Sequence, residues 1–379
     1  MRVLYASAMF GKEEKQAVLK ALENEYLSVG EKSREFEEKM SKIFKKSYGI
    51  FVNSGSSANL LVSQILPKGE VITPALTFAT TLTPLLQCGL TPVFVDSGVR
   101  TFVPTIKDIV KKITPKTVAV MIPNLLGNKI DSLKLRKICD KKGLIYIEDS
   151  CDTITNSHGH FVTTSFYGSH ILTAMGSGGM VMTNFKSMAD RIRTMRDWGR
   201  GVDVSEDIKD RYQFQMGDFP YDGKFWYMER GFNMRPIDAQ AAFGLVQLKR
   251  LKTFAKIRKN NFKKLYSFFK KYPFFNLPVS QFNPNWLAFP LTLKNAPFSR
   301  FDMVKYFEDH GIQTRPIFSG NILRHPAFRL QTAEGFPNAD YIMKHGILLG
   351  IHQGMGQKEI DYIKQTFKNF LNEHANNGK

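Results

Sequence analysis

Residues 145–184 read IYIEDSCDTITNSHGHFVTTSFYGSHILTAMGSGGMVMTN. The apolar run at 144–147 is a short strand that ends on the acidic pair Glu148-Asp149, and the carboxyl ends of strands are where open α/β sheets place their ligands. Downstream come Ser165-Phe166-Tyr167-Gly168-Ser169-His170, the turn Gly176-Ser177-Gly178-Gly179 and another apolar strand. That turn lets backbone pass close to a site. It lacks a complete G-x-G-x-x-G and does not stand between a strand and a helix, so it is no dinucleotide fingerprint. Taken alone, Glu148-Asp149 reads equally well as a helix cap, and His170 as an ordinary packed or surface histidine.

The flanks give these residues a setting. Apolar strands at 92–95, 118–122 and 144–147 are separated by amphipathic helices near 105–113 and 131–142. This alternation predicts an α/β fold with a mainly parallel sheet covered on both faces. Phe78, Asn124 and Asp149 then fall at strand carboxyl ends. Upstream, a strand at 49–53 runs into Ser54-Gly55-Ser56-Ser57-Ala58-Asn59 and a helix-like stretch. Small residues there let N–H groups and hydroxyls converge on an anion at a helix N-terminus, although a plain N-cap explains the same letters. After about residue 250 the pattern changes to long basic helices, a strand around 286–293, a helix at 299–310 and a closing helix at 357–371. We therefore expect a large domain over 1–250, including an N-terminal arm, and a smaller one over 251–379.

With 43% hydrophobic and 12% aromatic residues among 379, the chain is globular rather than disordered. The net charge of +19 invites a nucleic-acid reading. However, the lysines spread along amphipathic helices such as 251–271 without a nucleic-acid module, which describes a solvated basic face; a small anionic substrate fits it equally. Cys88, Cys139 and Cys151 are scattered and show no C-x-x-C spacing, which argues for a reducing compartment. His158 and His160 are expected in a hairpin turn with no third ligand, so no metal site is expected. No apolar run approaches the roughly 20 residues that span a bilayer. The expectation is a soluble cytoplasmic protein with neither a membrane nor a nucleic-acid partner.

In this order the motifs resemble those of the vitamin B6-dependent sugar aminotransferases, the DegT/DnrJ/StrS family, in which an Asp after a strand is followed by S-F-x-x-x-K and G-x-G-G. At the Lys position this chain has His170. The resemblance implies a fold type I pyridoxal phosphate-dependent transferase. It implies a catalytic His170 and a cofactor held by Gly55, Ser56, Ser57, Phe78, Asp149, Asp152, Ser165 and Asn233. Phe78 would stack on the ring and Asp149 would meet the pyridine nitrogen. Asn233 would reach the phosphate of a neighbouring subunit, so a homodimer with shared sites is implied. Arg235 and Arg315 would face substrate. Tyr5-Ala6-Ser7 through Tyr26-Leu27-Ser28-Val29-Gly30 is similar to the family's N-terminal arm.

Two departures lean toward the family's dehydratase branch. Asp152 stands where most of its aminotransferases have Gln, and Thr314-Arg315-Pro316-Ile317-Phe318-Ser319-Gly320-Asn321 is similar to the branch pattern T-R-x-x-F-A-G-N. An iron–sulfur centre needs about four thiolates, and residues 198–233 contain no cysteine, so no cluster is expected. A family Lys bonds covalently to the cofactor, whereas an imidazole only moves protons. With ordinary pKa values near 6.5 and 10.4, about three quarters of a His but under about 0.1% of a Lys is free base at pH 7. Lys186 follows the glycine turn and the next strand and is expected to open a separate element, which argues against a simple covalent swap. The implied activity is removal of the C3 hydroxyl of a nucleotide-linked 4-keto-6-deoxyhexose, with non-covalent pyridoxal/pyridoxamine phosphate and glutamate as amino donor. The alternatives are a keto-sugar aminotransferase served by another amine, and a sugar-nucleotide-binding homologue without catalysis.

Overall fold

The computed structural model describes residues 1–23, 27–201, 207–329 and 335–377; Tyr26 of the expected arm lies outside them. Two helices, α1 (Lys12–Leu22) and α2 (Glu31–Ile43), precede an alternating series. The series runs β1 (Tyr48–Val52), α3 (Gly55–Gln64), β2 (Glu70–Pro74), α4 (Ala79–Gln87), β3 (Thr91–Val95), α5 (Ile106–Lys111), β4 (Thr117–Pro123), α6 (Ser132–Lys141) and β5 (Ile145–Asp149). It closes with β6 (Phe161–Ser165), β7 (Gly179–Thr183) and α7 (Lys186–Arg196).

These seven strands form one sheet in the order β1-β7-β6-β5-β4-β2-β3. The pairs β2/β3, β2/β4, β4/β5 and β5/β6 are parallel, and β7 runs antiparallel to both β1 and β6. The central strands are buried along nearly their whole length, as a sheet covered on both faces requires. Because β5 and β6 are parallel, His158 and His160 do not sit in a hairpin. Residues 150–160 instead cross from one end of the sheet to the other, and buried Glu148 accepts the N–H groups of His158 and Gly159, each at 2.8 Å. A Gly between two histidines imitates a tight turn, and nothing in the local letters distinguishes the two paths. The β6–β7 connection, which carries His170, contains no helix and returns the chain antiparallel. His170 therefore stands at the same sheet end as Asp149.

Next come α8 (Ile208–Arg211), the hairpin β8 (Phe214–Met216) and β9 (Phe219–Tyr221), and α9 (Asp238–Lys249), which packs on α1 and α2. Beyond it lie α10 (Leu251–Phe269), β10 (Phe275–Asn276), β11 (Phe289–Leu293), α11 (Arg300–Asp309), β12 (Thr314–Arg315), α12 (Pro337–His345), β13 (Gly346–Leu349) and α13 (Gln357–Asn377). Their antiparallel sheet has the order β10-β11-β13-β12. One apolar core runs from Ile72, Val120 and Tyr146 in the large sheet to Phe269, Phe289 and Phe367. Continuous burial of this kind ties the C-terminal elements to the large sheet. Among the described residues no helix is long and apolar enough to cross a membrane.

Candidate active site

Asp149, the last residue of β5, is held by donors from three directions. Its Oδ2 accepts Asn59 Nδ2 at 2.9 Å and Thr81 Oγ1 at 2.8 Å, and its Oδ1 accepts the Cys151 N–H at 3.2 Å. Asn59 is itself fixed: its amide also donates to the Thr80 carbonyl at 3.0 Å, and its oxygen accepts Thr163 Oγ1 at 2.6 Å. A buried carboxyl with its lone pairs engaged in this way cannot rotate freely, so the direction it presents is set by α3, α4 and β6 together.

At the start of α3, Ser54 is the N-cap and accepts the Ser57 N–H at 3.0 Å. The Ser57 hydroxyl turns inward to Asn53 Oδ1 at 2.6 Å. Ser57 was expected at the cofactor; the cap geometry places Ser54, not Ser57, on the cavity wall. Gly55 has a steric reason. A Cβ there would lie 2.6 Å from Ser165 Cβ and 3.1 Å from Cys151 Sγ, so only glycine lets the helix start press against the end of β6. Ser56 donates its hydroxyl to Thr80 Oγ1 at 2.9 Å.

These groups border a cavity of about 290 Å³, at the small end of ligand-sized pockets. Of the expected residues, Gly55, Ser56, Phe78, Asp149, Asp152, Ser165 and His170 line it. Asn233, Arg235 and Arg315 do not. Asn233 is exposed and bridges to Asp197. Arg235 lies 3.7 Å from Asp197 and over the Trp198 ring at 5.5 Å. Arg315 donates to the Thr314 carbonyl at 2.6 Å and lies over the Tyr5 ring at 5.7 Å.

His170 Nδ1 lies 3.3 Å from the Ser165 carbonyl oxygen. A carbonyl only accepts, so Nδ1 carries the proton and Nε2 keeps its lone pair. Burial pushes the imidazole pKa down to about 4; the Ser165 carbonyl and Asp149 oppose this and Arg258 reinforces it. The ring is therefore a neutral base at physiological pH. Asp152 moves the other way: burial raises its pKa to about 7, Asp149 adds to the rise, and the Leu126 N–H, 2.8 Å from Oδ2, opposes it. Burial and the Asp149 carboxylate push the Cys151 thiol well up, so it is an inert neighbour.

No lysine lines the cavity among the described residues. Lys186 opens α7, as expected from its place after the strand, and pairs with Asp190 at 2.7 Å. Sequence reasoning missed Phe318, whose ring meets Phe78 at 6.2 Å and 78°. Phe318 is a non-glycine residue at φ +48, a conformation that the surroundings must impose. Ser319 supplies part of that by donating to the Thr77 carbonyl, and the Ile322 N–H bonds the Ala75 carbonyl at 3.0 Å. Asn59, Thr80 and Thr81 were missed as well, although an Asn and two Thr at helix starts beside a strand end are a weak signal of a hydrogen-bonded pocket.

The residues present fit pyridoxal phosphate. Gly55 and Ser56 open a helix beside the Ser165 hydroxyl, which suits a phosphate. Phe78, 52% exposed, offers a ring face, and Asp149 offers a fixed carboxylate to a ring nitrogen.

A profile of the DegT/DnrJ/EryC1/StrS aminotransferase family matches residues 9–368. The chain belongs to this family. It is 32% identical, over 97% of its length and 86% of the relative, to a dTDP-4-dehydro-2,6-dideoxy-D-glucose 3-dehydratase of Saccharopolyspora spinosa. It is 30% identical to the GDP-4-keto-6-deoxy-D-mannose 3-dehydratase of Yersinia pseudotuberculosis, over 97% of the chain and 96% of that protein. A solved structure of the Escherichia coli GDP-4-keto-6-deoxy-D-mannose 3-dehydratase with bound hydrated PLP superposes with a TM-score of 0.86 at 27% identity, covering 97% of this chain and all of that one. The fold is that of the type I aminotransferases, with a mixed seven-stranded sheet and a small C-terminal antiparallel sheet.

Proposed function

We propose that this family member is a pyridoxal phosphate-dependent 3-dehydratase that removes the C3 hydroxyl of a nucleotide-linked 4-keto-6-deoxyhexose, with glutamate as amino donor. The observation that carries this reading is His170: a neutral imidazole borders a cavity on which, among the described residues, no lysine stands. The 3-dehydratases among its relatives support the substrate class.

The cofactor supplies an electron conduit from a C–H bond to the sugar carbon that loses oxygen; the chain supplies position and protons. Asp149, fixed by Asn59 and Thr81, would hold the pyridine nitrogen in its protonated form. Gly55, Ser56 and Ser165 would hold the phosphate, and Phe78, buttressed by Phe318, would pack on the ring. His170 takes a proton on Nε2 while Nδ1–H stays on the Ser165 carbonyl, so the imidazole gains charge without turning. Asp152 borders the same cavity. Without an amine on the wall, the cofactor is retained by these contacts alone.

Every cavity residue except Phe318 lies within 1–250, so we assign cofactor binding to that part and closure of the cavity to 251–379. Asn233 and Arg235 stand on a surface that also exposes Trp198, Phe225, Tyr227 and Met228. That supports their serving the cavity of a second copy in a homodimer; Arg315 we assign to substrate on the family resemblance alone.

The test is chemical. Borohydride is added to protein loaded with pyridoxal phosphate, and the intact mass is measured after unfolding. The reading expects unmodified protein and cofactor released free. A cofactor fixed to a lysine would replace it with the aminotransferase reading.

A further inference from the structure

Arg258 is a fully buried guanidinium on α10 that the cavity chemistry does not use. Burial pushes its pKa down to about 10, and among the described residues it makes no ion pair with a carboxylate. A buried cation is costly unless its donors are engaged. Its Nε donates to Gln353 Oε1 at 2.8 Å and its Nη1 to the Leu287 carbonyl at 2.8 Å.

Gln353 belongs to the loop between β13 and α13, and α10 grips that loop again one turn further on. Asn261 donates to the carbonyls of Ile351 at 3.5 Å and Met355 at 3.1 Å. His352 ties the loop to the N-terminal segment: its Nε2 donates to the Leu4 carbonyl at 3.2 Å, and its Nδ1 accepts the Gly354 N–H at 3.2 Å. The loop is held on several sides, and one side chain leaves it toward the turn that bears His170. Gln353, 7% exposed, donates its amide to the carbonyl of Ile171 at 3.4 Å. Ile171 follows His170 directly.

The turn bearing His170 is thus fixed at two points, the ring by the Ser165 carbonyl and the next peptide by Gln353. We propose that Gln353, oriented by Arg258, is a positioning residue for His170, setting how far the imidazole reaches into the cavity. The guanidinium holds the amide oxygen, which leaves the amide N–H turned to the Ile171 carbonyl. The charged groups that act on the ring are Asp149 from β5 and Arg258 from α10. This inference rests on the reading of His170 as the proton carrier.

Two substitutions separate positioning from plain support. Gln353→Glu keeps the shape and gives Arg258 a charge-assisted partner, so the fold should be as stable as before or more so. Yet a carboxylate cannot donate to the Ile171 carbonyl. Gln353→Leu removes both bonds. The cofactor-dependent proton step is followed in single turnovers with glutamate, beside KM and cofactor affinity. In parallel, the His170 imidazole is followed by NMR in cofactor-free, histidine-labelled protein.

Gln353→Glu should slow the step about 10- to 100-fold, the scale of a small misplacement. KM and cofactor affinity should stay within about twofold, and the melting temperature should be unchanged or higher. The His170 resonance should move, and its titration midpoint should rise toward the ordinary value because the new carboxylate lies nearby. The proposal is overturned if Gln353→Glu keeps the wild-type rate and the His170 signal of the uncharged Gln353→Leu is unmoved, or if rate falls only in step with melting temperature. If His170→Asn turns over as well as wild type, the functional reading fails instead. The cofactor-free NMR signal of Gln353→Leu, which adds no charge, would still decide whether Gln353 places the ring.

Discussion

Replacing Asp152 by Asn should change how stability depends on pH, by an amount the site fixes. In the cofactor-free protein the carboxyl pKa stands at about 7 against an ordinary 3.8, raised first by burial and then by Asp149. Between those values the folded state binds more protons than the unfolded state, so stability falls as pH rises. The difference is roughly three units, each about 1.36 kcal/mol, or on the order of 4 kcal/mol lost between pH 4 and pH 8. His170 and His352, both pushed down to about 4, act in the opposite sense between about pH 4 and 6.5. Their contribution is common to both proteins and cancels in a difference. An Asn oxygen can still accept the Leu126 N–H, so the variant keeps the fold. At about 2.1 cal/mol/K per residue over 379 residues, 4 kcal/mol corresponds to about 5 °C. Melting temperatures of both proteins across this pH range are the assay. The advantage of Asp152→Asn should grow by about 5 °C from pH 4 to pH 8; a constant difference would refute the electrostatics assigned to this wall.

Further outcomes follow from the same contacts. Asp149→Ala strands the Asn59 and Thr81 donors, and should cost about 1–3 kcal/mol of stability per orphaned donor together with most cofactor retention, read by denaturant melts and by absorbance after desalting. Gly55→Ala forces a Cβ to within 2.6 Å of Ser165 Cβ; cofactor affinity should fall at least about tenfold with the helix start displaced, measured by titration of the cofactor-free protein. His170→Asn should keep cofactor affinity and lose about 10²–10⁴ in the proton step, whereas equal losses in both would make His170 a binding residue. In Asp152→Asn, which lacks the carboxyl that titrates at about 7, the rate across pH 6–9 should show no titration of a base of ordinary pKa, because the His170 imidazole is already neutral there.

The sequence made some of this site legible and hid the rest for physical reasons. The place of Asp149 was visible because strand ends follow from short apolar runs, whereas its role and that of His170 came from the resemblance of the surrounding motifs to the family, since alone they read as a helix cap and an ordinary histidine. Ser54 and Ser57 were confused because Ser-Gly-Ser-Ser does not say which hydroxyl caps the helix. That choice depends on Ser54 adopting an extended backbone, φ −162 and ψ 159. Phe318 was hidden because its place against Phe78 depends on a docking of residues 319–322 onto 75–77 that no local pattern encodes. The parallel course of β5 and β6 was hidden by Gly159, which imitates a turn. Arg258 looked like one more basic residue of a charged helix, and only burial distinguishes it from the exposed lysines around it.

The most direct test of the central claim is product analysis. The purified protein, loaded with pyridoxal phosphate, is incubated with glutamate and a nucleotide-linked 4-keto-6-deoxyhexose, and the sugar is examined by mass spectrometry and NMR. The account predicts a keto-sugar that has lost one oxygen, at C3, with ammonia and 2-oxoglutarate formed in equal amounts, and product formed about 10²–10⁴-fold more slowly when His170 is replaced by Asn. An amino-sugar that retains its C3 oxygen would contradict it.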